Sequence, residues 1–166
     1  MILIAIGSNL GHPAHGSPHE TCKAAVSAIQ NTGCRVQSVS RWYRSVPIPA
    51  SDQPDYVNGV VSLETKLDPI RLMATLHDIE NEFKRLRSAP NAARTLDLDL
   101  LVYENIIREG PDSPILPHPR MTERAFVLLP VRDIASDWIH PVSGHSLNTF
   151  LRRIGDRQYC DPIRNC

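Results

Sequence analysis

Export chemistry is the first thing this sequence lacks. Its four cysteines, Cys22, Cys34, Cys160 and Cys166, show no C-x-x-C spacing, so neither a redox motif nor a zinc ribbon has a starting point. Met1-Ile2-Leu3-Ile4-Ala5-Ile6 has no basic stretch before it and is too short for a signal-peptide core. Scattered thiols without an export signal predict a reducing, cytoplasmic setting. No apolar run approaches the length of a membrane span, so no membrane association is expected. Neither charge is in excess: eighteen Lys and Arg face eighteen Asp and Glu. That removes the global positive field of a nucleic-acid binder, and any anion site must be made locally. Internal repeats and low-complexity segments are also missing, and the fourteen prolines are spread among connections.

What is present is one domain, residues 1–166, long enough for a real core. Ile2–Ile6 reads as a buried strand ending at the Gly7-Ser8-Asn9-Leu10-Gly11 turn, whose glycines let backbone approach a ligand closely. Ser17-Pro18-His19-Glu20 opens a helix, with Ser as N-cap, Pro next and Glu completing a capping box; Gly33 ends it. Val36–Tyr43 and Tyr56–Thr65 have strand character, joined by a loop with three prolines. Tyr56, Asn58, Val60 and Ser62 fall on one face of the second, and Val57, Val61 and Leu63 on the other. Asp68-Pro69 opens a helix with a stripe of Leu72, Leu76, Ile79, Phe83 and Leu86, and with His77 and Glu80 on another face. Met121–Leu129 reads as a short helix closed by Pro130, and Leu147–Ile154 as another capped by Ser146. The order β-α-β-β-α-β predicts an α+β, ferredoxin-like split βαβ fold, with an antiparallel sheet and helices mainly on one face. The other face is left partly free to carry a site.

The most informative stretch is Arg94-Thr95-Leu96-Asp97-Leu98-Asp99-Leu100-Leu101. Apolar and polar residues alternate as in a half-buried strand, which puts Asp97 and Asp99 on one face roughly 7 Å apart at Cα. Aspartate is depleted in strands, and two on one face repel unless a cation lies between them. Paired hard oxygens on a rigid element suit Mg²⁺ when water and phosphate complete its octahedron. Arg85, Arg87 and Arg94 precede the pair, and Arg120 and Arg124 follow it. Phosphoryl-type transfer requires this mixture, because its catalysis is mostly positioning and neutralisation of phosphate charge. Arginines near a helix C-terminus also complement its dipole without touching any ligand. Pro117-His118-Pro119-Arg120 presents His118 rigidly, either to a phosphate or as the cap of a turn. Tyr56 and Phe126 are open to a core role as well as to a ligand. His12, His15 and His19 lie in a Gly/Pro-rich loop without a companion at ligand spacing.

Four segments together resemble the 6-hydroxymethyl-7,8-dihydropterin pyrophosphokinases of folate biosynthesis. They are Ala5-Ile6-Gly7-Ser8-Asn9-Leu10-Gly11, Asp52-Gln53-Pro54-Asp55-Tyr56-Val57-Asn58, Arg94 to Leu101, and Pro117-His118-Pro119-Arg120-Met121 with Glu123-Arg124-Ala125-Phe126-Val127-Leu128. They occur in the family's order. The resemblance implies transfer of the β,γ-pyrophosphoryl unit of ATP to the pterin hydroxymethyl oxygen, with release of AMP. By that likeness Asp97 and Asp99 hold two Mg²⁺ ions, Arg85 and Arg94 stabilise the charge that develops, and Arg87 sits in a loop closing over ATP. ATP contacts are implied at His77, Glu80, Arg85, Arg87, Arg94, Leu100, His118 and Arg124. Pterin contacts are implied at Gly7, Ser45, Ile48, Tyr56, Asn58 and Phe126, the ring stacking between Tyr56 and Phe126. ATP and the pterin are the only partners expected, and a monomer is expected because no long apolar surface stripe is left over.

The chain departs from the family pattern in the loop before Arg94. Many members carry Arg-Trp-Gly-Pro there; this chain has Pro90-Asn91-Ala92-Ala93, one residue shorter and without the tryptophan. His77 stands where Gln is common, and Pro119 where some members have Tyr. Two other classes fit less well. A nucleotidyltransferase places its paired acids soon after Gly-Ser, whereas here about ninety residues intervene between Ser8 and Asp97. An RNA-binding module of this fold would want a basic face with central aromatics, and the strand carboxylates would repel phosphate.

Overall fold

The computed structural model describes residues 1–83, 95–111 and 113–164. Strands β1 (Ile2–Ser8), β2 (Arg35–Val39), β3 (Tyr43–Ser45), β4 (Tyr56–Glu64), β5 (Asp97–Tyr103) and β6 (Cys160–Pro162) form one antiparallel sheet. Its order is β5-β1-β4-β3-β6, with β2 also on β4. The ladder order brings residues 7, 58 and 97 side by side, although fifty and ninety positions separate them from the first.

Helices α1 (Pro18–Asn31) and α2 (Pro69–Glu82) cover one face. Both begin as the sequence demands. Ser17 and Glu20 exchange the two bonds of a capping box, and Asp68 accepts the Ile70 and Arg71 N–H groups at 3.0 Å. Their apolar stripes bury Cys22, Ala25, Ile29, Leu72, Leu76 and Ile79 against Ile4, Ile6, Val61, Leu98 and Leu100. Helices α3 (Ala125–Ile134) and α4 (Leu147–Ile154) cover one part of the opposite face, burying Leu3, Val60, Leu101 and Val102 under Val127, Leu128, Val131 and Phe150. The register of β5 on β1 shifts between Leu3 and Ile4, so Leu101 and Val102 both enter that second core. The rest of that face, around Gly7, Asn58 and Asp97, is left open.

Three elements differ from the sequence expectation. Val36–Tyr43 is not one strand: it breaks at residues 40–42, where the Ser40 hydroxyl accepts the Val60 N–H and donates to the Arg41 carbonyl. Trp42 meanwhile packs its ring onto Gly59, where even a Cβ would come within 2.6 Å. Pro130 does not close a helix; α3 runs through it to Ile134. The bond lost to the missing N–H is outweighed by burial of Val127, Leu128 and Val131. Strand β6 carries no sequence signal and exists because it pairs with β3. Leu86 of the predicted α2 stripe lies outside the described residues.

Candidate active site

Strand register builds the site floor. Gly7 pairs with Asn58 on one side and Asp97 on the other, and Ala5 pairs with Asp99 and Val60. Asp97 and Asp99 therefore lie on one face, half-buried, beside two small residues that leave room above the sheet. A Cβ on Gly7 would sit 3.3 Å from Asn58 Oδ1 and 4.0 Å from Asp97 Cβ. The glycine is there for space.

Around this floor lies a single cleft whose lining includes Gly7, Ser45, Ile48, Tyr56, Asn58, Asp97, Asp99, Arg120, Arg124 and Phe126. All six residues expected at the pterin are in it, together with both carboxylates and Arg124. Asn58 and Ser45 are buried and bonded, the Asn58 Nδ2 donating to Ser45 Oγ at 2.9 Å. Tyr56 is half-buried and donates its hydroxyl to Gln53 Oε1 at 3.2 Å. Gln53 Oε1 also accepts Asn9 Nδ2 at 3.1 Å, which ties the 7–11 turn to the loop before β4. Arg124 lies over the Phe126 ring, 5.5 Å from its centroid.

His118 stands next to the carboxylates. Burial, then Arg124 and Arg120, lower its pKa below the usual 6.5 against the opposing pull of Asp99 and Asp97. The imidazole is therefore neutral at neutral pH. Its Nδ1 accepts the Arg120 N–H at 3.2 Å, so in the neutral ring the proton sits on Nε2, which can donate.

The structure separates the remaining expected residues. Glu80 is fully buried and its Oε1 accepts the Leu98 N–H at 2.8 Å, anchoring the aspartate strand from beneath. The Leu100 side chain points into the core on the face opposite the aspartates, leaving only its backbone to a ligand. His77 is half-buried on α2. Arg85, Arg87 and Arg94, with the departing segment Pro90-Asn91-Ala92-Ala93, lie outside the described residues. His12 and His15 stack with each other and with Phe83, centroids 4.5 to 5.5 Å apart, and His19 meets Trp42 edge-on. Sequence reasoning missed the Asn9–Gln53–Tyr56 link. The match to Asp52-Gln53-Pro54-Asp55-Tyr56 contained it without revealing that the amide joins two loops.

The donor set decides which cation the cleft fits. Asp97 and Asp99 offer hard oxygens only, and among the described residues no cluster of three or more His, Cys, Asp or Glu could enclose a metal. Two carboxylates with space above them suit Mg²⁺, which keeps water and phosphate oxygens in its shell, and do not suit a closed zinc site.

A model of the 7,8-dihydro-6-hydroxymethylpterin-pyrophosphokinase (HPPK) family matches residues 3–136, which hold the whole of this cleft. The chain belongs to the HPPK family. A relative in Haemophilus influenzae, 2-amino-4-hydroxy-6-hydroxymethyldihydropteridine pyrophosphokinase, is 43% identical over 140 residues, 84% of either chain. One of the same name in Synechocystis is 37% identical over 152 residues, covering 92% of this chain and 75% of the relative. The HPPK fold is also shared with the wild-type Plasmodium falciparum HPPK-DHPS crystal structure with STZ-DHP, at TM-score 0.70 and 12% identity. That match covers 94% of this chain and 43% of the longer one. Folic acid synthesis protein fol1 of Pneumocystis carinii is 36% identical over 155 residues, of which this chain spans 20%. The chain thus spans 84% and 75% of these two pyrophosphokinase relatives and a fifth of the longer Pneumocystis protein. Among the described residues no helix is long and apolar enough to cross a membrane.

Proposed function

We propose that this HPPK-family transferase moves the β,γ-pyrophosphoryl group of ATP onto the hydroxymethyl oxygen of 6-hydroxymethyl-7,8-dihydropterin within the cleft above Gly7. The observation that carries this is the shared cleft, which is lined by two strand carboxylates, two aromatics and a buried amide. In the reaction the hydroxymethyl oxygen bonds to the β-phosphorus, the bond from that phosphorus to the α,β-bridging oxygen breaks, and AMP leaves. The hydroxyl proton is released. Asp97 and Asp99 would hold two Mg²⁺ ions, which would supply charge neutralisation and alignment of the phosphates.

The chain's own groups do the rest. Tyr56 and Phe126 sandwich the planar pterin. Because Asn58 spends one N–H on Ser45, its geometry is locked, and its Oδ1 is aimed beside Gly7 to read donors on the ring edge. The Ile48 backbone contributes to the same edge. The Nε2–H of His118 and the guanidinium of Arg124 contact phosphate oxygens, and a neutral imidazole does so without repelling the metal ions. Arg85 and Arg94 stabilise the charge at the β-phosphorus and Arg87 closes over ATP. These three roles, and nucleotide contacts at His77 and the Leu100 backbone, rest on the family resemblance; Glu80, buried beneath β5, serves the nucleotide only by holding that strand. One chain supplies every lining residue named above, so a monomer can carry the cleft.

The test is chromatography of the nucleotide products after incubation with ATP, Mg²⁺ and the pterin. AMP formed only when pterin is present supports pyrophosphoryl transfer. ADP would mean attack at the γ-phosphorus and would overturn the assignment.

A further inference from the structure

We infer that Gln158 is a positioning residue for the pterin wall of the cleft, acting as a helix cap supplied from the far end of the chain. The inference rests on the functional reading above and goes beyond the segment that carries it, because the family match ends at residue 136.

Helix α3 begins without a cap of its own. Arg124 occupies its N-cap position and makes no side-chain bond there. The missing partner comes from Gln158, whose Oε1 accepts the Ala125 N–H at 2.8 Å and whose Nε2 donates to the Glu123 carbonyl at 2.7 Å. These two bonds fix the orientation of the amide, since only Oε1 can accept and only Nε2 can donate. They fall on either side of Arg124 and one residue before Phe126, the two side chains that this turn presents to the cleft. Two residues further on, Cys160 pairs with Ser45 in the β6–β3 ladder, and the Ile163 N–H donates to the Trp42 carbonyl. Residues 158–163 therefore join the Phe126 wall to the Ser45 wall. Their length fixes the width of the slot into which a planar ring must slide.

Without the cap, the start of α3 frays, and only the fraction of molecules holding Phe126 in place binds pterin. Losing one cap is expected to weaken pterin binding about five- to tenfold. Turnover at saturating pterin changes little, because bound pterin selects the molecules in which the whole turn, Arg124 included, is in place.

The experiment measures pterin Kd, KM and kcat for the intact chain, Gln158→Met, Gln158→Glu and Ile154→Val. Methionine keeps the side chain's length and packing and removes both bonds. Glutamate restores the acceptor for Ala125, and Ile154→Val loosens the second core, where Ile154 is buried, without touching the cap. Gln158→Met should raise Kd and KM with kcat held, and Gln158→Glu, which keeps the Ala125 bond but sets an acceptor against the Glu123 carbonyl, should recover only part of that loss. Ile154→Val should lower the melting temperature and leave Kd unchanged. Equal pterin binding by Gln158→Met, or the same loss in Ile154→Val, would overturn the role of Gln158 alone. An intact chain that binds no pterin would overturn the functional reading and this role with it.

Discussion

Replacing Gly7 by alanine separates what the sheet needs from what the cleft needs. The new Cβ would meet Asn58 Oδ1 at 3.3 Å and Asp97 Cβ at 4.0 Å. The first contact is tight by a few tenths of an ångström; the second is ordinary. Gly7 is not among the positive-φ glycines, so alanine carries no backbone strain. It narrows the unfolded ensemble, a gain of about 0.4–1 kcal/mol. Against this, shifting Asn58 strains its 2.9 Å bond to Ser45, at about 0.5–1.5 kcal/mol. The two nearly cancel, so the melting temperature should stay within about 3 °C of the unmodified protein. Function should not be so lucky. The methyl group stands on the cleft floor and moves the amide proposed to read the ring edge, so pterin affinity should fall roughly tenfold. Calorimetric titration with pterin, alongside thermal melting, measures both. A variant as stable as the parent with undiminished pterin affinity would refute the claim that the ring approaches the backbone at Gly7.

Other expected outcomes are briefer. Asp97→Asn and Asp99→Asn should each abolish AMP formation while the circular dichroism spectrum survives, because each loses an anionic metal ligand; near-normal turnover in either would sink the carboxylate assignment. Phe126→Ala should weaken pterin binding by about 1–3 kcal/mol, the worth of an aromatic stack, and unchanged affinity would return Phe126 to the core. Asp133 gives a pH test. Burial pushes its carboxyl up, but bonds from Arg41 and the Tyr43 hydroxyl outweigh burial and hold it below the usual 3.8. A carboxyl lowered on folding stabilises above its unfolded pKa, and that contribution is lost as pH falls through the folded value. The melting-temperature gap between the parent and Asp133→Asn should therefore shrink below about pH 4; a constant gap would show that the Arg41–Asp133 contact adds no stability.

The parts legible in sequence were those written by local periodicity. Ser17, Pro18 and Glu20 form the cap their spacing prescribes, and alternation alone put Asp97 with Asp99 and Tyr56 with Asn58 on common faces. What escaped depends on contacts with distant residues. The break at residues 40–42 needs Val60 and Gly59 to receive Ser40 and Trp42. Pro130 survives inside α3 because its neighbours bury against β4, a gain no local rule counts. Glu80 reads as one more polar residue on α2 until β5 arrives to donate the Leu98 N–H. Strand β6 and the Gln158 cap have no periodicity at all; their pattern is the surface of β3 and α3, which the sequence around residue 160 does not contain.

The place of β5 in the sheet has a consequence outside catalysis. It ends the strand order, with β1 as its only partner among the described strands. Exposed sheet edges invite pairing with strands of other molecules. Here the Leu98 N–H is occupied by Glu80, the Leu101 carbonyl accepts the His118 N–H, and Asp97 and Asp99 would set like charges side by side in any stacked copy. The acids proposed to hold cations should thus also disfavour pairing along that edge. Neutralising them should yield a variant that is inert and, on heating, quicker to form β-rich precipitate than the parent.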